Sequence, residues 1–312
     1  MSGFGTARGG KPPHVREDRI TWIMGSSRSG STWLLRMLRE LDGVIGINDP
    51  HIGHHLGVWR PVALAWAAAT ERPQLNDLRE LKRDKPDYFF SDRYRDAWLP
   101  ALRELILARF GAQIADEHGD GDGQPSLVVK EPGSHAATML FEAFPASRLI
   151  FLLRDGRDVV DSWLDGYRAG AWAIEEGAFP VAREGRLALI EWLSSVWAYR
   201  TRVVADAYAE RESDRRVRVR YESLLANPVG ELERIVAMLG VAVDRATLRE
   251  VAARHDYEEL PPRVRGAGQE IRSASPGGWR RNLSRAEQKA MHEIMGPELK
   301  ALGYLGAGRA AA

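Results

Sequence analysis

The sequence predicts an α/β fold in which a central parallel sheet is flanked by helices. Three observations carry this. Short apolar runs of strand character recur at Ile20–Met24, Ser126–Val129 and Arg148–Leu153. Each ends in a polar or charged turn. Each turn is followed by a stretch with helical apolar spacing. Strand–helix alternation of this kind builds parallel sheets covered by helices.

The first unit is the most informative. Ile20–Met24 includes β-branched and aromatic residues, as strands prefer. Gly25-Ser26-Ser27-Arg28-Ser29-Gly30-Ser31-Thr32 then carries no large apolar side chain. Trp33, Leu34, Met37, Leu38 and Leu41 follow at helical spacing. Two glycines let the backbone turn tightly, and the N–H groups of the loop and first helical turn point at an anion. Gly25, four residues, Gly30 and Ser31-Thr32 make a Walker-A frame whose lysine is replaced by serine. The frame indicates phosphate, and the missing lysine counts against ordinary ATP or GTP hydrolysis. The nearest cation is Arg28, inside the loop. A polar turn without a ligand is the plainer reading of this loop taken alone.

Composition narrows the classes. A chain of 312 residues suits one large domain or two small ones. No internal repeat or clear linker is visible. Residues 1–19 read as a flexible arm, 20–305 as a single domain and 306–312 as a flexible tail. A net charge of +1 gives no electrostatic case for nucleic acid. The absence of cysteine excludes disulfides, a thiolate nucleophile and zinc–thiolate sites. The first nineteen residues lack the apolar core of a signal peptide. No run approaches the roughly 20 apolar residues of a membrane helix. The expectation is a soluble, cytoplasmic protein.

Asp42–Leu56 reads as a turn-rich segment bearing Asn48, Asp49, Pro50, His51, His54 and His55. A metal set is incomplete here: cysteine is absent, and Asp42 and Asp49 are the only nearby carboxylates. These are either incidental surface histidines or a general base beside the phosphate loop. Val58–Ala69 and Tyr94–Phe110 read as helices with apolar stripes. Glu71–Asp92 is mixed. Ala112–Pro125 reads as a solvated Gly/Asp loop without EF-hand spacing.

Ser126–Val129 ends in Lys130-Glu131-Pro132. Such a charged pair suits a site at the carboxyl edge of a parallel sheet, or a plain ion pair of Lys130 with Glu131 or a neighbour. Gly133–Phe144 reads as a helix. Arg148–Leu153 runs into Arg154-Asp155-Gly156-Arg157-Asp158 and a helix over Val159–Tyr167. Leu187–Arg211 is a long helix carrying Trp192 and Trp197. Arg216–Arg220 is an alternating strand, followed by Tyr221-Glu222. Helices are expected over Val229–Leu239, closed by Gly240, and over Leu248–His255. Leu260–Gly278, rich in Pro, Gly and Arg, reads as a mobile loop. Ser284–Leu302 is a helix with Ser284 as N-cap and Glu287 at its third position.

These residues resemble a known family. Arg28-Ser29-Gly30-Ser31-Thr32-Trp33 resembles the phosphosulfate loop of sulfotransferases that use 3′-phosphoadenosine-5′-phosphosulfate (PAPS), in a soluble, bacterial-like branch. Arg154 and Ser162, eight residues apart in RDGRDVVDS, resemble that family's arginine and serine on the donor's 3′-phosphate. Tyr221 resembles the tyrosine near the adenine. Arg272, seven residues before Trp279, resembles the arginine of a late loop that closes on the 3′-phosphate, although Ser273 and Ala274 depart from that triplet. The matches run in order from residue 25 to residue 279.

The resemblance implies a P-loop NTPase-like three-layer fold. It implies PAPS as co-substrate, 3′,5′-adenosine bisphosphate as product and no required metal. The reaction implied is in-line transfer of a sulfuryl group to an acceptor hydroxyl or amine. Arg28, Ser29, Gly30, Ser31, Thr32, Trp33, Arg154, Ser162, Tyr221 and Arg272 would hold the donor, with Arg28 and Lys130 neutralising the leaving group. Cytosolic relatives place a histidine base two residues after the counterpart of Lys130, where this chain has Pro132. Branches acting on proteins or glycans use a carboxylate soon after the first helix, and Asp49 resembles it in position. Asp49 is the first candidate base, His51 the second and Glu131 the third. The acceptor is left open among small molecules, carbohydrates and lipids, as is the oligomeric state. The competing readings are a P-loop small-molecule kinase, which ordinarily needs the loop lysine, and a nucleotide-binding protein without catalysis.

Overall fold

Five strands form one sheet in which every neighbour is parallel: β1 (Ile20–Met24), β2 (Val44–Asn48), β5 (Ser126–Lys130), β6 (Arg148–Leu153) and β7 (Arg216–Arg220). Their order is β2-β5-β1-β6-β7, with β1 central. A separate antiparallel pair joins β3 (Trp59–Arg60) to β4 (Asn76–Asp77). The computed structural model describes residues 15–55, 59–60, 76–118, 125–168, 170–171, 185–259, 265–266 and 275–305.

Helices cover both faces of the sheet. Side chains alternate along a strand, so β1 serves two cores. Ile20, Trp22 and Met24 pack with Phe110 of α4 (Arg95–His118), Leu140 of α5 (Ala137–Ala143) and Val204 of α7 (Arg186–Glu210). Ile23 packs on the opposite face with Leu34 and Leu38 of α1 (Ser31–Leu38) and Leu232 of α9 (Pro228–Leu239). A third core joins α6 (Gly156–Gly166), α7, α11 (Trp279–Asn282) and α12 (Arg285–Ala301) around Val160, Trp197, Trp279 and Met295. Trp22 is fully buried, and its indole N–H donates to Ser147 Oγ at 3.0 Å. The short helices α2 (Ile52–His55), α3 (Leu78–Lys82), α8 (Tyr221–Ala226) and α10 (Arg245–Arg254) complete the chain order.

Several elements differ from the sequence reading. Val44–Asn48 is a strand, not turns, because burial between α1 and β5 demands backbone pairing there. Gly46 permits it: a Cβ would stand 2.3 Å from Arg39 Cγ. Helix α4 continues to His118, where the sequence suggested a loop from Ala112, because Ile114 is buried and extends the apolar stripe. Trp59–Arg60 is extended rather than the start of a helix, and residues 61–69 lie outside the described residues. Helix α6 starts at Gly156, since Asp155 caps it by accepting from Arg157 N. The end of the predicted arm is docked: Glu17–Arg19 forms a 3-10 turn, and Glu17 pairs with Arg103 at 2.5 Å. Residues 260–264 and 267–274 of the expected mobile loop, and 119–124 of the Gly/Asp loop, lie outside the described residues. Among the described residues, no helix is long and apolar enough to cross a membrane.

The carboxyl ends of β1, β2, β5 and β6 lie along one edge, where open parallel sheets bind ligands. Gly25 lets β1 turn there against β6, as a Cβ would stand 2.1 Å from the Leu152 carbonyl oxygen.

Candidate active site

The loop from Gly25 to Gly30 sits on that edge. Ser134 Oγ donates to the Gly25 carbonyl at 2.7 Å and fixes the start of the turn. Arg28 and Gly30 hold left-handed backbone conformations, with φ of 69° and 88°. At Gly30 glycine is required twice, because a Cβ would also stand 2.6 Å from Tyr221 Cδ2. Gly30 caps α1 without any side-chain hydrogen bond to its first turn. The loop, Asp49, Lys130, Arg154, Ser162 and Tyr221 line one cavity of about 600 Å³.

One end of the cavity is cationic and aromatic. Arg154 Nη1 donates to the Arg28 carbonyl at 2.8 Å, and Arg28 Nε donates to Ser162 Oγ at 3.3 Å. Residues distant in sequence therefore meet at one corner. The Arg154 guanidinium lies 4.4 Å from the Tyr221 ring centroid, a cation–π contact. Burial pushes the Tyr221 hydroxyl up, and Arg154 opposes it. Trp33 meets Tyr221 edge-on at 6.1 Å, and its indole N–H donates to the His255 carbonyl at 2.8 Å. Ser29 Oγ and Arg154 Nε are buried without a hydrogen-bond partner among the described residues. Buried donors of this kind call for a ligand that accepts from them.

The other end holds a carboxylate. Lys130 Nζ donates to Asp49 Oδ2 and to Thr32 Oγ1, both at 2.7 Å. Asp49 N donates to the Lys130 carbonyl at 3.1 Å, carrying the β2–β5 ladder one residue further. Asp49 and His51 have φ of 51° and 55° on either side of Pro50. Positive φ at such residues stores strain, and strain of this kind clusters at functional sites. His51 is exposed and lines the cavity, with its Nδ1 3.5 Å from His54 Nδ1. Among the described residues, no group of three or more His, Cys, Asp or Glu is placed to hold a metal.

The ion pair of Lys130 is with Asp49, at 2.7 Å. Glu131 is only 2% exposed. Its Oε2 accepts from Ile52 N at 2.9 Å and its Oε1 from Gly133 N at 2.6 Å. Burial pushes its carboxyl up, and these backbone N–H groups pull against that. With both oxygens accepting from backbone N–H groups, Glu131 clamps α2 to the end of β5. Arg272 lies outside the described residues.

Sequence reasoning missed what else the Arg154–Ser162 motif does. Asp155 pairs with Arg157 at 2.6 Å, and Arg157 lies 4.3 Å from the Trp279 ring centroid. Buried Asp158 accepts from Gly277 N at 2.7 Å and Trp279 N at 3.4 Å. Burial raises its carboxyl, while those N–H groups and Arg154 oppose the shift. Asp161 accepts from Asn282 Nδ2 at 2.9 Å. The motif thus fastens residues 277–282 while supplying the corner of the cavity. The signal was present as alternating charges on a helix that buries most of its surface.

Fold and site together define a transferase of the phosphate-loop α/β class. The Sulfotransferase family model matches residues 21–245, and the chain belongs to that family. It is therefore an enzyme of sulfuryl transfer. No curated protein matches the sequence significantly. Among solved structures, the chain is similar to mouse sulfotransferase SULT7A1 complexed with PAP, at 12% identity, covering 93% of this chain and 88% of that one, with a TM-score of 0.57. It is similar to the sulfotransferase domain of the Synechococcus PCC 7002 olefin synthase, at 19% identity, covering 94% and 97%, with a TM-score of 0.50. It is also similar to retinol dehydratase in a complex with retinol and PAP, at 15% identity, covering 92% and 83%, with a TM-score of 0.50. These likenesses show the fold.

Proposed function

We propose that this chain moves a sulfuryl group from PAPS to an acceptor hydroxyl or amine, with Asp49 as general base. The observation that carries the donor assignment is the convergence of Arg28, Arg154 and Ser162 at one corner of the cavity. Arg154 and the Ser162 hydroxyl are assigned to the 3′-phosphate, which ATP-like nucleotides lack, and Arg28 to the 5′-phosphosulfate. The buried donors at Ser29 and Arg154 and the uncapped first turn of α1 fit an anionic donor. Trp33 and Tyr221 supply an aromatic wall for the base. Arg272 is assigned to the 3′-phosphate on sequence alone.

The chemistry follows from the other end. The bond from sulfur to the 5′-phosphate oxygen breaks as the acceptor oxygen or nitrogen bonds to sulfur. The acceptor's proton passes to Asp49, and 3′,5′-adenosine bisphosphate departs. Lys130 holds one Asp49 oxygen and Thr32 together, so the carboxylate stands beside the first turn of α1. Arg28 and Lys130 supply positive charge to the leaving group. His51 lines the same cavity and is the second choice of base.

We assign a small-molecule, carbohydrate or lipid acceptor. The retinol beside PAP in one structural neighbour supports a small alcohol. We place residues 20–305 in one domain. The cytoplasm is the proposed setting, with which a sequence free of cysteine is compatible.

Calorimetric titration with 3′,5′-adenosine bisphosphate, 5′-AMP and Mg-ATP tests the donor site, on wild type and Arg154→Ala. Tight binding of the bisphosphate alone, lost in the variant, is expected. Binding of Mg-ATP with indifference to the 3′-phosphate would sink the reading and favour a kinase.

A further inference from the structure

A buried cation stands behind the loop, outside the machinery described so far. Arg200, in the middle of α7, is 7% exposed and does not line the cavity. Its Nη1 donates to Ser27 Oγ at 3.0 Å. Its Nη2 lies 3.4 Å from His54 Nε2. Ser27 belongs to the phosphosulfate loop and lines the cavity. His54 belongs to α2, just after the strained Asp49-Pro50-His51 corner. One planar fork therefore touches both the loop and the short helix that follows His51.

The protonation pattern follows from donor chemistry. A guanidinium only donates, so His54 Nε2 must accept. In a neutral imidazole the proton then sits on Nδ1. That Nδ1 faces His51 Nδ1 at 3.5 Å.

Resting on the donor reading above, we propose that Arg200 is a positioning residue for sulfuryl transfer. It ties the phosphosulfate loop at Ser27 to the acceptor-side turn at His54, and it holds His54 as the neutral Nδ1–H tautomer.

The charged surroundings agree. His54 is faced by His51 and His55 from its own turn, Arg200 from α7 and His135 from the Ser134–Ala136 turn. The His54 and His135 rings meet edge-on at 5.0 Å. Burial, then the charge of Arg200, then His51 and His55, push His54 down to about 4. Burial also pushes Arg200 down to about 10, against the pull of Glu131, so it stays charged at neutral pH. Lysine cannot reproduce this link, because one ammonium is a point charge where two diverging N–H groups are needed.

The test combines histidine side-chain ¹⁵N NMR with calorimetry against 3′,5′-adenosine bisphosphate. The proteins are wild type, Arg200→Met, Arg200→Lys and Ser27→Ala, with His54→Gln to assign the His54 signals. Wild type is expected to show a neutral His54 with its proton on Nδ1 down to about pH 5. In Arg200→Met the His54 titration moves up, and bisphosphate affinity falls roughly tenfold through loss of the nearby charge. Arg200→Lys recovers most of that affinity but not the tautomer. Ser27→Ala leaves His54 as in wild type and weakens the bisphosphate a few fold. A purely structural Arg200 would not produce this split. An Nε2–H tautomer in wild type, or an unchanged His54 in a folded Arg200→Met, overturns the proposal. Should Arg200→Met fail to fold, an unchanged tautomer in Arg200→Lys overturns it. If no protein binds the bisphosphate, the donor reading falls, while the His54 spectra still decide the role of Arg200.

Discussion

Lys130 and Asp49 form an ion pair 2.7 Å long across the ends of two adjacent parallel strands. The pair is half-buried, with side chains 12% and 29% exposed, and Thr32 Oγ1 accepts from the same ammonium. A single lysine therefore holds a carboxylate against the first turn of the phosphate loop's helix. Asp49→Asn keeps the shape and removes the proposed base. It should lower kcat by about 10²- to 10³-fold, with bisphosphate affinity unchanged within about threefold. Steady-state kinetics beside calorimetry decide this, and unimpaired turnover would transfer the role to His51.

Gly30→Ala should damage the donor site more than the fold. The new Cβ meets the Tyr221 ring in a backbone conformation that alanine adopts reluctantly. Bisphosphate affinity should drop by about tenfold or more, and stability by roughly 1–3 kcal/mol. Calorimetry and urea unfolding measure the two separately.

His135 should make the protein acid-labile. It is 1% exposed, and burial, then Arg200, then His54, push its imidazole from 6.5 down to about 3. The unfolded chain therefore binds more protons than the native one between those values. Stability from neutral His135 is complete above about pH 6.5 and is lost as pH falls toward 3, at up to about 1.4 kcal/mol per pH unit. His135→Gln should flatten this limb in urea titrations from pH 7 to 4. An unaltered slope would show that His135 does not titrate on unfolding in this range.

The last long helix offers a clean test of local stability. Ser284 Oγ accepts from Glu287 N at 3.3 Å, and Glu287 Oε2 accepts from Ser284 N at 2.7 Å, a complete capping box. Glu287 also accepts from Arg186 Nε at 2.7 Å, joining α12 to α7. Ser284→Ala should cost about 1 kcal/mol, and Ser284→Asp much less. Thermal melts at neutral pH give the comparison.

What the sequence made legible had local causes. The limits of β6 and β7 and the box at Ser284 were readable because apolar runs and capping spacing are properties of neighbours. The strand at Val44–Asn48 was hidden, since its conformation comes from pairing with β5, far along the chain. The same division holds in the site. Arg28, Lys130 and Arg154 stand at strand ends or in a glycine-bounded loop, where a charge is conspicuous. Arg200 lies within a long helix, and its sequence neighbours say nothing of Ser27 or His54. Asp158 and Asp161 read as ordinary helix charges until Gly277, Trp279 and Asn282 fold back onto them.

The strand order also governs when the enzyme comes into being. Within the five-stranded sheet, the closest hydrogen-bonded strand neighbours in sequence, β6 and β7, still bring Leu149 beside Arg216. The central strand β1 must wait for residues near 127 and 148 before either flank is filled. On the ribosome, the loop after β1 is made early and stays unsupported until nearly half of the 312 residues have emerged. A polypeptide of this topology should fold slowly and late, because distant pairings carry the loop-closure cost before any reward. Nascent chains halted before residue 148 should therefore be protease-sensitive and blind to the bisphosphate.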